Sequence, residues 1–176
     1  MNQQLHKLYH KIELQRNQLL QSLQTLPGEK LNYHLSGKWS INQIIAHLIT
    51  AENLSIQYLN KKILGINEVK DSGFVEELKM VLLVASQRMP LLKFKAPKFV
   101  VERTPGETEI NKLADEWDKT RAELKNILDH LPDQYLNRKI YKHVRVGMLN
   151  IQHALKFFHE HIAHHTPQVK YLLKLK

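Results

Sequence analysis

The chain has 176 residues, 43% hydrophobic and 24% charged, with only six Gly and six Pro; this excludes a disordered or loop-rich β protein and predicts one globular, helical domain over residues 1–176. Its 26 Lys and Arg against 17 Asp and Glu give a formal net charge of +9, but the basic residues are scattered in short groups such as Lys61-Lys62, which argues against nucleic acid as a partner. With no cysteine, the chain has no disulfide, thiolate nucleophile or sulfur ligand, so any transition-metal site must be built from imidazole, carboxylate and water.

No apolar stretch approaches the ~20 residues that span a bilayer. The segment from Met1 to Lys7 lacks the apolar core of a signal peptide. The expectation is a cytoplasmic protein with no membrane association.

The first predicted helix runs from about Gln3 to Leu26, with Leu5, Leu8, Ile12, Leu19, Leu23 and Leu26 near the 3.6-residue period, and stops at Pro27-Gly28. Glu29 to Lys38 reads as a loop. Ser40 and Gln43 have the spacing of a capping box, opening a second helix that runs to about Leu64. A third, Asp71 to Arg88, has a long apolar centre from Met80 to Ala85 and ends before Pro90. Leu91 to Gly106 reads as an irregular crossover. Another helix starts at Glu107 or Thr108, is apolar at Ile110, Leu113, Trp117, Leu124, Ile127, Leu128 and Leu131, and is closed by Pro132. Residues 133 to 147 form a connection with a short extended piece at Lys139 to Val146, and the last helix covers Leu149 to Lys174. Together these elements predict an all-α four-helix bundle with a long crossover and an extra short helix, an architecture whose sites are made by side chains projecting inward.

Eleven histidines occur in the chain, five of them between His153 and His165. Such crowding is either a metal site or a solvated, weakly basic helix face. On a wheel of ~100° per residue, Ala154, Phe158, His161, His165, Val169 and Leu172 share an arc of roughly 80°. His161 and His165 thus lie on the buried stripe, four residues apart, the spacing by which one helix offers two nitrogens to one cation. His164 and His153 fall to the sides, at the rim, and His159 points outward to solvent. Two zinc-protease patterns fail, because Ala163 and Phe157 stand where H-E-x-x-H and H-x-x-E-H need histidine.

A catalytic zinc commonly takes three protein ligands. In the second helix Ile44, His47, Leu48, Ala51, Ser55 and Tyr58 share one stripe, so His47 also points inward. A lone inward histidine is ordinarily a satisfied core residue, whereas three on two helices point to ligation. Glu52 lies about 140° round from His47, which argues against direct ligation and leaves it a role either in supporting a ligand or as a structural partner. Glu160 and His164 are candidate acid/base groups, and Gln168 and Tyr58 candidate hydrogen-bond partners of the ligands. His6, His10, His34, His130 and His143 read as surface or loop residues.

Two segments resemble the hallmarks of the DinB/YfiT-like metalloenzyme family: Trp39-Ser40-Ile41-Asn42-Gln43-Ile44-Ile45-Ala46-His47-Leu48 followed by Glu52, and His161-x-x-x-His165-Thr166-Pro167-Gln168. Thr104 to Asp118 and His143-x-x-x-Gly147-Met148-Leu149 are similar to its connecting segments. The likeness runs from about residue 36 onward. It implies a four-helix bundle of unusual connectivity in which His47, His161 and His165 hold a divalent metal, commonly zinc or nickel. It also implies a frequent homodimer, and thiol S-transferase-like chemistry with a low-molecular-weight thiol on a small electrophilic substrate. The alternatives are a metal-dependent hydrolase and, from another class, a non-catalytic metal-binding or nucleic-acid-binding bundle. The chain departs from the family at Lys142-His143-Val144-Arg145, where many relatives carry His-Pro.

Overall fold

The computed structural model describes residues 1–88, 95–106 and 108–175. Helix α1 (Gln3–Gln21) is capped by Asn2, whose side chain accepts from Gln4 N at 2.8 Å. It ends earlier than the periodicity predicts. Leu23 stays fully buried from a turn that follows the helix, so its place in the apolar pattern is kept without helical backbone.

The expected loop after Pro27 contains a short helix, α2 (Gly28–Asn32), which buries Leu31. Pro27 stands at the N-cap of this helix, where its missing N–H costs no hydrogen bond. Helix α3 (Ile41–Ile63) opens on the expected capping box: Ser40 Oγ accepts from Gln43 N and Gln43 Oε1 accepts from Ser40 N at 2.9 Å.

Helix α4 (Phe74–Arg88) buries only Glu76, Met80 and Leu83, leaving Val81 and Leu82 exposed, because one helix cannot turn six consecutive apolar residues to the same side. The expected irregular crossover falls partly outside the described residues, and its described part carries the single-turn helix α5 (Lys98–Val101). Helix α6 (Ile110–His130) follows. The extended piece expected at Lys139 to Val146 is an antiparallel hairpin of β1 (Tyr141–His143) and β2 (Gly147–Leu149), turned through Gly147 at φ +80°. Helix α7 (Ile151–Leu173) begins two residues later than expected, and Asn150 and His153 make its capping box.

Four long helices close a ring: α1 packs on α6 and α7, and α3 packs on the same two, so α1 and α3 stand diagonally opposite. Helix α4 lies on the outside of α7. This is the predicted helical bundle, with the hairpin as its one sheet among the described residues. No described helix is long and apolar enough to cross a membrane.

The apolar core is divided in two. One cluster joins Leu5 and Ile12 of α1 to Ile56, Leu124 and Phe158; the other joins Leu19 and Leu20 to Ile45, Leu113, Trp117 and Ile162. At the level between them the bundle buries charge. Arg121 Nη2 donates to Glu52 Oε1 at 2.7 Å, Trp117 Nε1 donates to Glu52 Oε2 at 2.9 Å, and both Glu52 and Arg121 are 1% exposed. Glu13 extends the network to Arg121 at 3.4 Å and to Arg16 at 3.2 Å. Of the two roles left to it by its angular position, Glu52 thus has the structural one.

Removing one member of such a pair strands the other charge in the core. Glu52→Ala is expected to destabilise the fold by about 3–5 kcal/mol, read as a shift of the urea midpoint. A loss below about 1 kcal/mol would mean that Arg121 finds water or another partner.

Candidate metal centre

Helices α3 and α7 bring their inward stripes together, and His47, His161 and His165 meet there. One ring nitrogen from each lies within 4.8 Å of the others, an arrangement that can hold a metal ion. His47 Nε2 and His161 Nε2 face each other at 3.2 Å. Two imidazoles ligating one tetrahedral cation at about 2.0–2.1 Å have nitrogens roughly 3.3 Å apart, so the pair already stands at ligand spacing. His165 Nδ1 donates to Gln168 Oε1 at 3.0 Å, which assigns its proton to Nδ1 and leaves the Nε2 lone pair for a cation. Gln168 therefore takes the partner role expected of it. Tyr58 does not: its hydroxyl bonds Met148 Sδ at 3.3 Å.

The other two rings are held by aromatic packing. Trp39 lies against His47 with centroids 4.8 Å apart, and Phe157 stacks on His161 at 5.1 Å with an interplanar angle of 20°. Their Nδ1 atoms are buried without a hydrogen-bond partner. Burial pushes all three imidazoles toward the neutral form: the pKa of His47 falls to about 4, with a further small push from His164, and that of His165 to about 3, assisted by His47. His161 is also held well below the usual value, by burial and then by His165. At neutral pH the nitrogens carry lone pairs and need lose no proton before binding a cation.

The histidines form the floor of a cleft of about 1020 Å³, walled by Trp39, Leu54, Tyr58, Leu83, Phe99 and Val100. His143, expected at the surface, is buried in its wall; burial lowers its pKa to about 4, and its ring meets Phe157 edge-on at 4.6 Å. The signal for it was strand parity: Tyr141 and His143 are buried, and Lys142 between them is exposed at the edge of the cleft.

His164 lines the cleft as expected, with Nδ1 donating to the Gln87 carbonyl at 2.9 Å. Glu160 does not line it. Its carboxylate takes two bonds from Arg88, at 2.6 and 2.8 Å, and fastens α4 to α7. His159 is half-buried beside Glu160 rather than solvated, and His153 is fully buried away from the cleft, capping α7 and bonding Glu77 at 2.8 Å. His6, His10, His34 and His130 are exposed.

The model of one protein family, the DinB superfamily, matches residues 11–169. Neither the curated proteins nor the solved structures give a match to the chain.

Substituting His47, His161 or His165 by Ala is expected to abolish stoichiometric uptake of zinc or nickel, measured by elemental analysis of protein purified without a histidine tag. His159→Ala should retain it, and Gln168→Ala should weaken it about 10–100-fold. Retained stoichiometry in any of the three single variants would remove that residue from the ligand set.

The pH dependence has a definite sign. The folded values of His47 and His165, about 4 and about 3, lie below the usual unfolded value near 6.5, so the unfolded chain binds more protons between them. The metal-free protein is therefore expected to lose stability as pH falls from about 6.5 toward 4, by a few kcal/mol in all, and to gain none above that window. Thermal midpoints across this range, compared with a variant carrying Gln at all three histidines, check it; equal slopes would contradict it.

Proposed function

The chain belongs to the DinB superfamily, and on that premise we propose that it is a divalent-metal-dependent enzyme, with zinc or nickel held by His47, His161 and His165. The reaction proposed is transfer of a low-molecular-weight thiol to a small electrophile. The observation that carries this reading is the meeting of three neutral imidazoles on the floor of a large, mostly apolar cleft. When bound, the cation supplies Lewis acidity that favours the deprotonated form of a thiol or water beside it.

The chain's own residues prepare that chemistry. Burial keeps the three rings neutral, and Gln168, Trp39 and Phe157 fix their orientation. Because the chain has no cysteine, the thiol must enter as a co-substrate, and the cleft has room for both reactants. In the transfer the sulfur forms a bond to the electrophilic carbon, the leaving group departs with its electron pair, and the thiol proton is released. His164 is the proposed proton acceptor at the rim, its ring oriented by the bond from Nδ1 to the Gln87 carbonyl.

The test is a screen of zinc- and nickel-loaded protein with small thiols and electrophilic acceptors, run beside ester and amide substrates. Thiol-dependent product is expected, with a rate reduced about 10- to 100-fold in His164→Gln and a flattened pH profile. Turnover confined to the esters and amides would replace transfer by hydrolysis. No turnover in a protein that binds metal stoichiometrically would favour a non-catalytic metal-binding bundle.

A further inference from the structure

We propose that the cleft selects an organic anion with an apolar body, its negative end received by Lys38, Lys95 and Lys142 at the mouth and its apolar part by the walls above the histidines. The inference rests on the reading of the cleft as the substrate site, and it adds the substrate's chemical class.

The lining is one-signed. Among the described residues it contains Lys38, Lys95, Lys142 and Arg145, and no Asp or Glu, although the chain has 17 acidic residues. Some lysines elsewhere pair with carboxylates, Lys98 with Glu102, Lys112 with Glu109, Lys125 with Asp129, Lys139 with Glu76 and Lys156 with Glu77. Others, such as Lys7 and Lys119, stand on the surface without such a pair among the described residues, so what sets the cleft lysines apart is their convergence on one cavity. Among the described residues Lys38, Lys95 and Lys142 have no such ion pair. The cations come from three separate stretches, the turn before α3, the crossover before α5 and the hairpin, so their convergence belongs to the fold and not to one basic run. A cleft lined by one sign of charge between low-dielectric walls focuses its field on an entering ion of opposite sign.

The hairpin wall adds a neutral donor. His143 Nδ1 accepts from the backbone N–H of Arg145 at 3.3 Å, which assigns the ring's proton to Nε2. An amine would meet the three lysines, and a neutral polyol would leave Leu54, Leu83, Phe99 and Val100 against polar groups. The volume, about 1020 Å³, suits a small molecule rather than a polymer.

The experiment uses three probes with one apolar body, 4-phenylbutyrate, 4-phenylbutanamide and 4-phenylbutylamine, titrated calorimetrically into metal-free and zinc-loaded protein. The acid is expected to bind roughly tenfold tighter than the amide and the amine weakest, with and without zinc. The preference should shrink as salt rises from about 20 to about 300 mM, and fall below about threefold in the double variant Lys38→Gln/Lys142→Gln. The salt series on the unaltered chain stands even where that variant folds poorly. Equal affinity for acid and amide, no binding of any probe, or a preference present only with zinc would overturn the inference. Zinc uptake on the same samples separates the two readings. Protein that prefers the acid but takes no zinc sinks the metal centre alone; protein that takes zinc without preferring the acid sinks this inference alone.

Discussion

The arrangement of the whole bundle depends on the buried pair of Glu52 and Arg121. Ions of this kind cost several kcal/mol each to desolvate, and the cost is offset only when both partners are well hydrogen-bonded. Here each carboxylate oxygen of Glu52 has its own donor, Arg121 on one and Trp117 on the other, both on α6, while on the arginine side Nη1 faces Glu13 at 3.4 Å and Nε is buried without a hydrogen-bond partner. Glu52 follows His47 by five residues, roughly 140° round the helix, so holding Glu52 against α6 turns His47 toward α7. Apolar packing alone tolerates small rotations of a helix; a charge pair sealed between two apolar clusters does not. The polar layer thereby sets the rotation of α3 on which the histidine cluster depends.

Helix α7 is treated in a parallel way. Glu160, the residue before His161, is clamped by Arg88 of α4. The arginine is well exposed, so this clamp contributes less than the buried one, but it acts on the same lever. Each helix that supplies the cluster thus has a glutamate off the histidine stripe, held by an arginine from a neighbour. What remains for the rings themselves is fine orientation. Gln168 provides it for His165 through a hydrogen bond, and Trp39 and Phe157 provide it for the others through ring contacts.

Periodicity made the long helices, the Ser40 capping box and the inward direction of His47, His161 and His165 legible in the sequence, because each follows from angles along one helix. What it left open concerns relations between elements. A wheel places Glu160 and His164 on the same side of the stripe, about 40° apart, but does not show that α4 packs there, with Arg88 on Glu160 and the Gln87 carbonyl on His164. The capping role of His153 depends on the exact start of α7, two residues from where the apolar pattern places it. His143 was hidden for another reason: a three-residue strand is too short for alternation to stand out, and its loop-like neighbours Lys142, Val144 and Arg145 masked the one inward position. Pro27, expected to end α1, instead opens α2, because α1 already closes at Gln21.

The donor set and the lining act together on charge. Three neutral imidazoles contribute no negative charge, and among the described residues the cleft contains no carboxylate to make up for it. A divalent ion held by such a set keeps its full charge for whatever binds beside it, and the rim lysines add to that charge instead of opposing it. Groups able to become anions are therefore stabilised in the ionised form throughout the cleft, at its floor and at its mouth. On the proposed reading, the same asymmetry would draw an anionic substrate in and favour the thiolate over the thiol, so that selection and activation would follow from one electrostatic arrangement.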